Sequence, residues 1–201
     1  MRNFVSLRLN QDSIKKKIDM AIANSSQIRA MAMTKAFGIF SRLKRSMLKE
    51  FDRHPITMEI DAGPSAENIT NTLGGYGNLF SFIGFEAGDN PTERLREILE
   101  IGTTLQQTIY RQGVWYFRVH LPDRASIEQA SQMPWEPGNS WAYAVERYIS
   151  GLSFYLYKAW AGSRSGAGIQ LPYEYLEDAT FSGQPYITEI LQHFREKVGQ
   201  S

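Results

Sequence analysis

The chain has 201 residues, a formal net charge of +1 and no cysteine. Its length is sufficient for a buried core, and the lack of cysteine excludes disulfide frameworks, thiolate metal sites and cysteine nucleophiles. No apolar run approaches the roughly 20 residues that a membrane-spanning helix requires, so we predict no membrane partner.

The net charge conceals a strong asymmetry along the chain. Residues 1–53 contain 12 Lys and Arg against 4 Asp and Glu, a net charge of +8, whereas residues 54–201 contain 10 against 17, a net charge of −7. A basic segment followed by an acidic remainder predicts either self-complementary packing or a polyanionic partner. A solvated basic helix face is the alternative interpretation.

The first quarter of the chain predicts a short strand and a long helix. Residues 4–9 alternate between apolar and polar side chains, as in a strand. Apolar residues then recur at steps of three and four over residues 13–51, which predicts a helix of about 60 Å. We expect a break or kink at Asn24-Ser25-Ser26. His54-Pro55 ends the helix, because the residue before a proline disfavours helical dihedral angles.

The middle of the chain predicts strands on either side of one helix. Residues 56–60 alternate and predict a strand, and residues 79–85, LFSFIGF, are apolar on both faces and predict a buried strand. Asn90-Pro91-Thr92-Glu93 begins a helix, because it places a cap, a proline and a carboxylate in the preferred order. This helix runs to about Ile101.

A hairpin and several short elements follow. Residues 104–110 and 114–121 flank the loop Arg111-Gln112-Gly113 and predict a β-hairpin, on which Trp115, Phe117, Val119 and Leu121 share one face. Beyond it we predict a helix from Asp123 to about Gln132 and a stiff loop over residues 133–138, which Trp135 and Trp141 anchor against the sheet. Residues 141–150 predict a strand or a short helix. Two strands, over 152–160 and 169–175, flank a basic loop over 161–168, and a last helix begins at Pro185.

Together these elements predict an α+β fold. It comprises a long N-terminal helix, an antiparallel β-sheet or sandwich domain with short helices, and a C-terminal helix. Residues 1–55 carry the N-terminal strand and basic helix, and residues 56–201 the β-rich domain. We expect the two parts to form one structural unit.

The glycine-rich stretch NTLGGYGNLF, residues 71–80, suggests a phosphate-binding loop. A Walker loop requires a lysine before its helix, and none is present. A dinucleotide fingerprint requires a third glycine and a following helix, whereas here the third glycine is missing and a strand is predicted. We therefore predict a turn in which glycines supply positive φ and Tyr76 is displayed at the tip, with no cofactor bound.

Residues suited to catalysis or metal binding are sparse. His54, His120 and His193 lie in different elements without the spacing of metal ligands, so we predict no metal site. Glu59 and Asp61 share one face of the predicted strand, and His120 is followed closely by Asp123. Neighbouring surface carboxylates and ordinary polar contacts explain these pairs better than acid–base catalysis. We predict no catalytic residues and no enzymatic activity.

Three stretches resemble structural proteins of tailed bacteriophages: HPITMEIDAGPSAENITNTLGGYGNLFSFIGF, MPWEPGNSW and ISGLSFYLYKAWAGSRSGAGIQ. The resemblance spans roughly residues 40–172 and is to neck and tail-completion proteins. It implies a non-enzymatic virion subunit, assembled in the host cytoplasm, that forms a homo-oligomeric ring, often six-fold. The ring would join head-connector proteins to tail-tube or tail-terminator proteins, with DNA only as passing cargo.

Contacts between subunits are expected at a displayed loop and at the basic helix. Arg164, between Ser163 and Ser165, has the planar fork that binds carboxylates at interfaces, and we expect Tyr76, Lys44 and Arg45 to take part as well. In a ring, the apolar stripe of the helix would pack on the next subunit and its lysines would meet acidic residues there. Two alternatives stay open: a nucleic-acid-binding protein that uses the basic helix over 13–53, and an unidentified hydrolase that uses Glu59, Asp61 or His120.

Overall fold

The structure, a computed structural model, describes residues 11–72, 77–134, 138–147 and 184–200. The predicted strands over 4–9, 152–160 and 169–175 and the loop over 161–168 lie outside the described residues. The helices are α1 (Gln11–Asn24), α2 (Ser26–Asp52), α3 (Pro55–Asp61), α4 (Leu79–Ile83), α5 (Pro91–Gly102), α6 (Arg124–Ala130), α7 (Trp141–Arg147) and α8 (Ile187–Gly199), and the strands are β1 (Thr104–Arg111) and β2 (Val114–His120).

The fold is α+β, with long N-terminal helices and a C-terminal helix, as the sequence predicts. In the described part of the chain the sheet consists of the hairpin β1–β2, and helices make up most of the remainder. The region after residue 55 is therefore more helical there than the predicted β-rich domain.

The predicted break in the long helix is confirmed. Ser25 lies between α1 and α2 and is not helical. Its Oγ accepts the backbone N–H of Ile28 at 3.3 Å, which makes Ser25 the N-cap of α2 and satisfies one of the free N–H groups of that helix end.

Two predicted strands are wrong, because both segments are helices. Residues 56–60 belong to α3, where Pro55 occupies the first turn and the His54 side chain accepts the N–H of Ile56. Residues 79–83 form α4, which Asn78 caps at its start and Gly84, at φ 90°, ends in the left-handed conformation. All five residues of α4 are buried, and an apolar run of this kind has no periodicity to separate a buried helix from a buried strand.

Within the described residues, the predicted hairpin and the remaining predicted helices are confirmed, with changes at their ends. The hairpin turn consists of two residues rather than three: Gln112 and Gly113 have φ of 50° and 85°, the left-handed pair that a type I′ hairpin turn requires. Asp123 caps α6 through its side chain. The segment after Trp141, predicted as strand or short helix, is the helix α7.

The chain divides into two compact units, each built from two segments. The basic unit combines Met1–Ser41 with Leu105–Val119 and contains 9 Lys and Arg against 2 Asp and Glu, a net charge of +7. The acidic unit combines Arg42–Thr104 with His120–Ser201 and contains 13 against 19, a net charge of −6. Helix α2 contributes to both units, whereas the boundary expected from the sequence lay near residue 55.

The core of the acidic unit is a chain of aromatic rings. Ring centroids lie 5.4 Å apart for Phe80 and Phe85, 5.9 Å for Phe85 and Trp141, 6.1 Å for Trp141 and Tyr186, and 5.9 Å for Tyr186 and Phe51. Each ring pair in such geometry contributes about 0.5–1.5 kcal/mol beyond its area burial. Trp141 therefore packs within a helical core and not against a sheet as predicted, while Trp135 lies outside the described residues.

The basic unit packs around one face of the hairpin. The rings of Trp115 and Tyr110 pack in a tilted arrangement at a centroid distance of 5.0 Å, and the guanidinium of Arg29 lies 5.8 Å from the Trp115 ring centroid. The Tyr110 hydroxyl donates to Asp19 Oδ1 at 3.4 Å. Exposure alternates along β2, which confirms that Trp115, Phe117 and Val119 share the inner face.

Candidate interaction surfaces

Glu59 is a buried carboxylate whose two oxygens are both engaged. The N–H and Oγ1–H of Thr70 donate to Oε2 at 2.9 and 2.7 Å, and the N–H of Leu79 donates to Oε1 at 2.8 Å. The residue is only 1% exposed. These hydrogen bonds replace its lost hydration and fasten Thr70 and Leu79 to α3.

This arrangement answers the question raised by the glycine-rich stretch. Gly77 has φ of 73°, so a glycine there supplies positive φ as predicted, whereas Gly74, Gly75 and Tyr76 lie outside the described residues. A helix, not the predicted strand, follows the glycines. Two of its first N–H groups are nevertheless taken, since Glu59 accepts the N–H of Leu79 and the Asn78 side chain accepts the N–H of Ser81.

Asn78 also fixes the base of this segment. Its Nδ2 donates to the carbonyl oxygens of Pro64 and Ala66, each at 3.0 Å. The side chain is buried, and its three hydrogen bonds hold the residues before α4 against the turn after α3. The base of the glycine-rich stretch is therefore set by buried polar contacts on both sides.

The other proposed acid–base groups do not join Glu59. Asp61 accepts a hydrogen bond from the Thr92 hydroxyl, and because α3 is a helix, residues 59 and 61 point in different directions. Asp123 accepts the Ser126 N–H at 2.8 Å as the cap of α6, and its hydrogen bonds with Ser126 lower its pKa. Within the described residues, no group of three or more His, Asp or Glu side chains could hold a metal ion.

A polar cluster joins the end of α2 to α8. His193 Nδ1 donates to Glu50 Oε1 at 2.6 Å, and Lys197 Nζ donates to Glu50 Oε2 at 3.1 Å. Hydrogen bonding to Glu50 raises the pKa of His193. Burial acts to raise the pKa of Glu50, but hydrogen bonds from His193 and Lys197 outweigh it and lower the pKa. The cluster fastens the C-terminal helix and stabilises its folded position.

The residues predicted at an interface have different positions. Lys44 is half-buried and donates to the Thr103 carbonyl at 3.0 Å, so it ties α2 to the end of α5. Arg45 is exposed on α2. Tyr76 and the loop residues Ser163, Arg164 and Ser165 lie outside the described residues, and their interface role stays a prediction.

An apolar stripe on the basic unit is open to solvent. We define the apolar stripe as Ile14, Ile18, Ile28 and Met31, whose exposed fractions are 40%, 53%, 40% and 73%. Ile14 and Ile18 are four residues apart on α1, and Ile28 and Met31 are three apart on α2, so each pair lies on one helix face. The periodicity in the sequence located the stripe but could not show that it is exposed.

The outer side of α5 forms an acidic face on the other unit. We define the acidic face as Glu93, Glu97 and Glu100, which recur at steps of four and three and are all exposed. Ile101 beside them is 62% exposed. The opposite side of α5 is buried through Thr92, Leu95 and Leu99. The sequence signalled the general acidic bias of this region but not this particular face.

Comparison with known proteins does not assign the chain to a family. No protein-family model, no curated protein and no solved structure matches it. None of the described helices is both long enough and apolar enough to cross a membrane.

Proposed function

We propose that the chain is a structural subunit of a phage virion at the head–tail junction, where copies form a ring that joins the head connector to the tail. The observation that carries this proposal is the apolar stripe, exposed on a unit with a net charge of +7. Large exposed apolar side chains in neighbouring positions are typical of surfaces that another molecule covers. The resemblance of the sequence to neck and tail-completion proteins supplies the kind of assembly.

The buried polar groups support a structural role. Glu59, Asn78 and Tyr186 are buried, and each is hydrogen-bonded to a neighbouring segment. Burial raises the pKa of the Tyr186 phenol, and its hydroxyl is hydrogen-bonded to the Thr57 hydroxyl at an oxygen–oxygen distance of 2.8 Å. Glu59 and Asp61 are engaged in hydrogen bonds within the fold, which favours a structural role over a hydrolase that uses these two carboxylates.

Analysis of purified particles tests the proposal. We expect mass spectrometry of complete virions to detect the chain in a fixed ratio to the portal protein. A virus that lacks the gene should accumulate separate heads and tails. Complete, infectious particles without the chain would refute the proposed function. The adjoining genes are expected to encode head-connector and tail proteins.

Nucleic-acid binding is the second candidate, and one observation favours it. Lys15, Lys16 and Lys17 are all exposed in α1, as a phosphate-binding surface requires. Binding through them should weaken steeply with salt, because each phosphate contact releases a counterion. We would measure duplex DNA affinity at several salt concentrations for the natural chain and for a variant with the three lysines changed to alanine. Equal affinities would exclude this use of α1.

A further inference from the structure

We propose that the first part of the apolar stripe, with the lysines around it, binds the acidic face of α5 in a second copy of the chain. This inference rests on the proposed function only in assuming that copies associate. It adds the two surfaces that meet and the order in which copies join. Both surfaces lie in described residues, one on each unit.

The apolar part of the contact comes from α1. Ile14 and Ile18 are 40% and 53% exposed, and they lie on one face of the helix because they are four residues apart. Burial of apolar surface that was exposed to water stabilises a contact by roughly 25 cal/mol per Å². Ile101, 62% exposed at the end of α5, offers an apolar contact on the opposing surface.

The charged part of the contact identifies the occupant as another copy. Lys15 and Lys17 flank the two isoleucines of α1, Lys16 lies on the opposite side of the helix, and Glu93 and Glu97 are exposed on α5. The two units have net charges of +7 and −6, so each unit matches the opposite unit of a second molecule. Such complementarity accelerates association and disfavours pairing of like surfaces.

Not every charge on these helices has the same sign. Asp12 and Asp19 lie on α1, Arg94 is exposed on α5, and Arg96 of α5 pairs with Glu100 at 3.1 Å, which leaves Glu93 and Glu97 as the glutamates available for the contact. Asp19 accepts the Tyr110 hydroxyl, and this bond occupies it within the basic unit. The lysines outnumber the acidic residues of α1, and the glutamates of the acidic face outnumber Arg94, so the attraction between the helices is retained.

The order of joining follows from the use of two different surfaces. When the apolar stripe of one copy binds the acidic face of the next, a free stripe remains at one end of the assembly and a free acidic face at the other. In the ring of the proposed function, copies add in this order until the ring closes. The same two surfaces can also meet twice across a two-fold axis, and the size of the assembly in solution distinguishes the two arrangements.

Charge reversal provides the test. One full-length variant carries Lys15→Glu, Lys16→Glu and Lys17→Glu, and another carries Glu93→Lys and Glu97→Lys. In each variant alone, like charges face each other, so we expect the concentration for half-association to rise at least about tenfold. An equimolar mixture, and a single chain with all five changes, should recover association because the opposed charges match again. Light scattering and sedimentation velocity measure the sizes.

Matched apolar variants separate the contact from general surface effects. Ile18→Asp should weaken association, whereas Met58→Asp, at a residue that is 49% exposed outside the two surfaces, should not. Circular dichroism and melting temperature must show that each variant is folded. The inference fails if the natural chain is monomeric at all concentrations, if either reversal leaves its size unchanged, or if mixing restores nothing.

The outcome is distinguishable from that of the proposed function. Recovery of association on mixing, in a chain that purified virions lack, supports the contact and refutes the virion role. Presence in virions without recovery on mixing supports the role and refutes this contact. A stripe covered by another segment of the same chain would lower the melting temperature of Ile18→Asp without changing the size of the natural chain, which overturns the inference.

Discussion

At the residue scale, buried and half-buried polar groups connect parts of the chain that lie far apart in sequence. Glu59 reaches Thr70 and Leu79, and Glu50 reaches His193 and Lys197. Sequence reasoning treated Glu59 as a surface carboxylate on a strand, because its hydrogen-bond donors lie 11 and 20 residues away. No local pattern in the sequence contains such a partner.

Replacing Glu59 should destabilise the acidic unit markedly. Glu59→Ala leaves the N–H groups of Thr70 and Leu79 without their acceptor, and buried donors of this kind cost about 1–3 kcal/mol each. We expect the free energy of unfolding, measured in urea, to fall by about 3 kcal/mol. Glu67→Ala is the control, because Glu67 is exposed, and it should change stability by less than about 0.5 kcal/mol. Equal losses would show that the Glu59 contacts contribute nothing specific.

The His193 cluster should make stability depend on pH. Glu50 raises the pKa of His193 above the ordinary value of 6.5, so the folded chain binds this proton more tightly than the unfolded chain. The stabilisation is fully present below 6.5 and disappears as the pH rises through the folded-state value. Glu50, whose pKa is lowered from 4.5, contributes above 4.5 and loses its contribution as the pH falls through its folded-state value.

The measurement compares melting temperatures of the natural chain and His193→Gln over a pH series. The difference should be largest between 4.5 and 6.5, the ordinary values of the two groups, and should shrink at higher pH. The difference is needed because burial lowers the pKa of His54. His54 therefore has the opposite effect on the melting temperature: it takes up its proton more readily in the unfolded chain, so stability falls as the pH falls. A difference that grows with pH would contradict the assignment.

At the element scale, capping residues and turn glycines predicted the helix ends and the hairpin correctly. The short apolar runs predicted strands where the chain is helical. Asp123 caps α6 through its side chain, whereas α5 begins at Pro91 and the Asn90 side chain makes no capping hydrogen bond there. Both starts were found because the residues that signal a helix start are adjacent in sequence. Residues 79–85 contain no such periodicity, and only packing inside the acidic unit decides that α4 is helical. The cap at Asn78 was the available signal, and the adjoining glycines obscured it.

Two helical glycines should respond in opposite ways to alanine. A Cβ at Gly38, in α2, would meet no atom within 4 Å, so Gly38→Ala should stabilise by about 0.5–1 kcal/mol through helix propensity. A Cβ at Gly102, at the end of α5, would lie 2.9 Å from Pro122 Cβ. Gly102→Ala should therefore destabilise by about 1–3 kcal/mol, because the proline ring must move. Chemical denaturation measures the free energy of unfolding of both variants. Changes of the same sign in the two variants would contradict the prediction.

At the scale of the whole molecule, the grouping of segments could not be predicted from local pattern. The basic unit draws the hairpin to the N-terminal helices, although residues 42–104 separate them in sequence. Of the described apolar residues that are buried, only Phe40 belongs to the basic unit. The charge asymmetry was visible in the sequence, but its separation between two units required the fold.

This distribution of burial predicts unequal protection along α2. Met47, Leu48 and Phe51 are buried, whereas Ile28 and Met31 are exposed. In dilute, monomeric protein, backbone amides near residues 28–38 should exchange with deuterium at least about tenfold faster than those near 44–52. Raising the concentration should slow exchange in α1 and leave residues 44–52 unchanged. Uniform protection along the helix would contradict the prediction.

The three hydrogen bonds of Glu59 close a loop of the chain between Thr70 and Leu79. In a protein without cysteine, this carboxylate acts as a reversible cross-link that fastens residues 70 and 79 to α3. The chain entropy lost in closing such a loop grows only slowly with its length, so residues between the two fastened ends can vary in number and kind at small cost. We therefore expect the chain between Thr70 and Leu79 to tolerate insertions while Thr70 and the start of α4 stay fastened to α3.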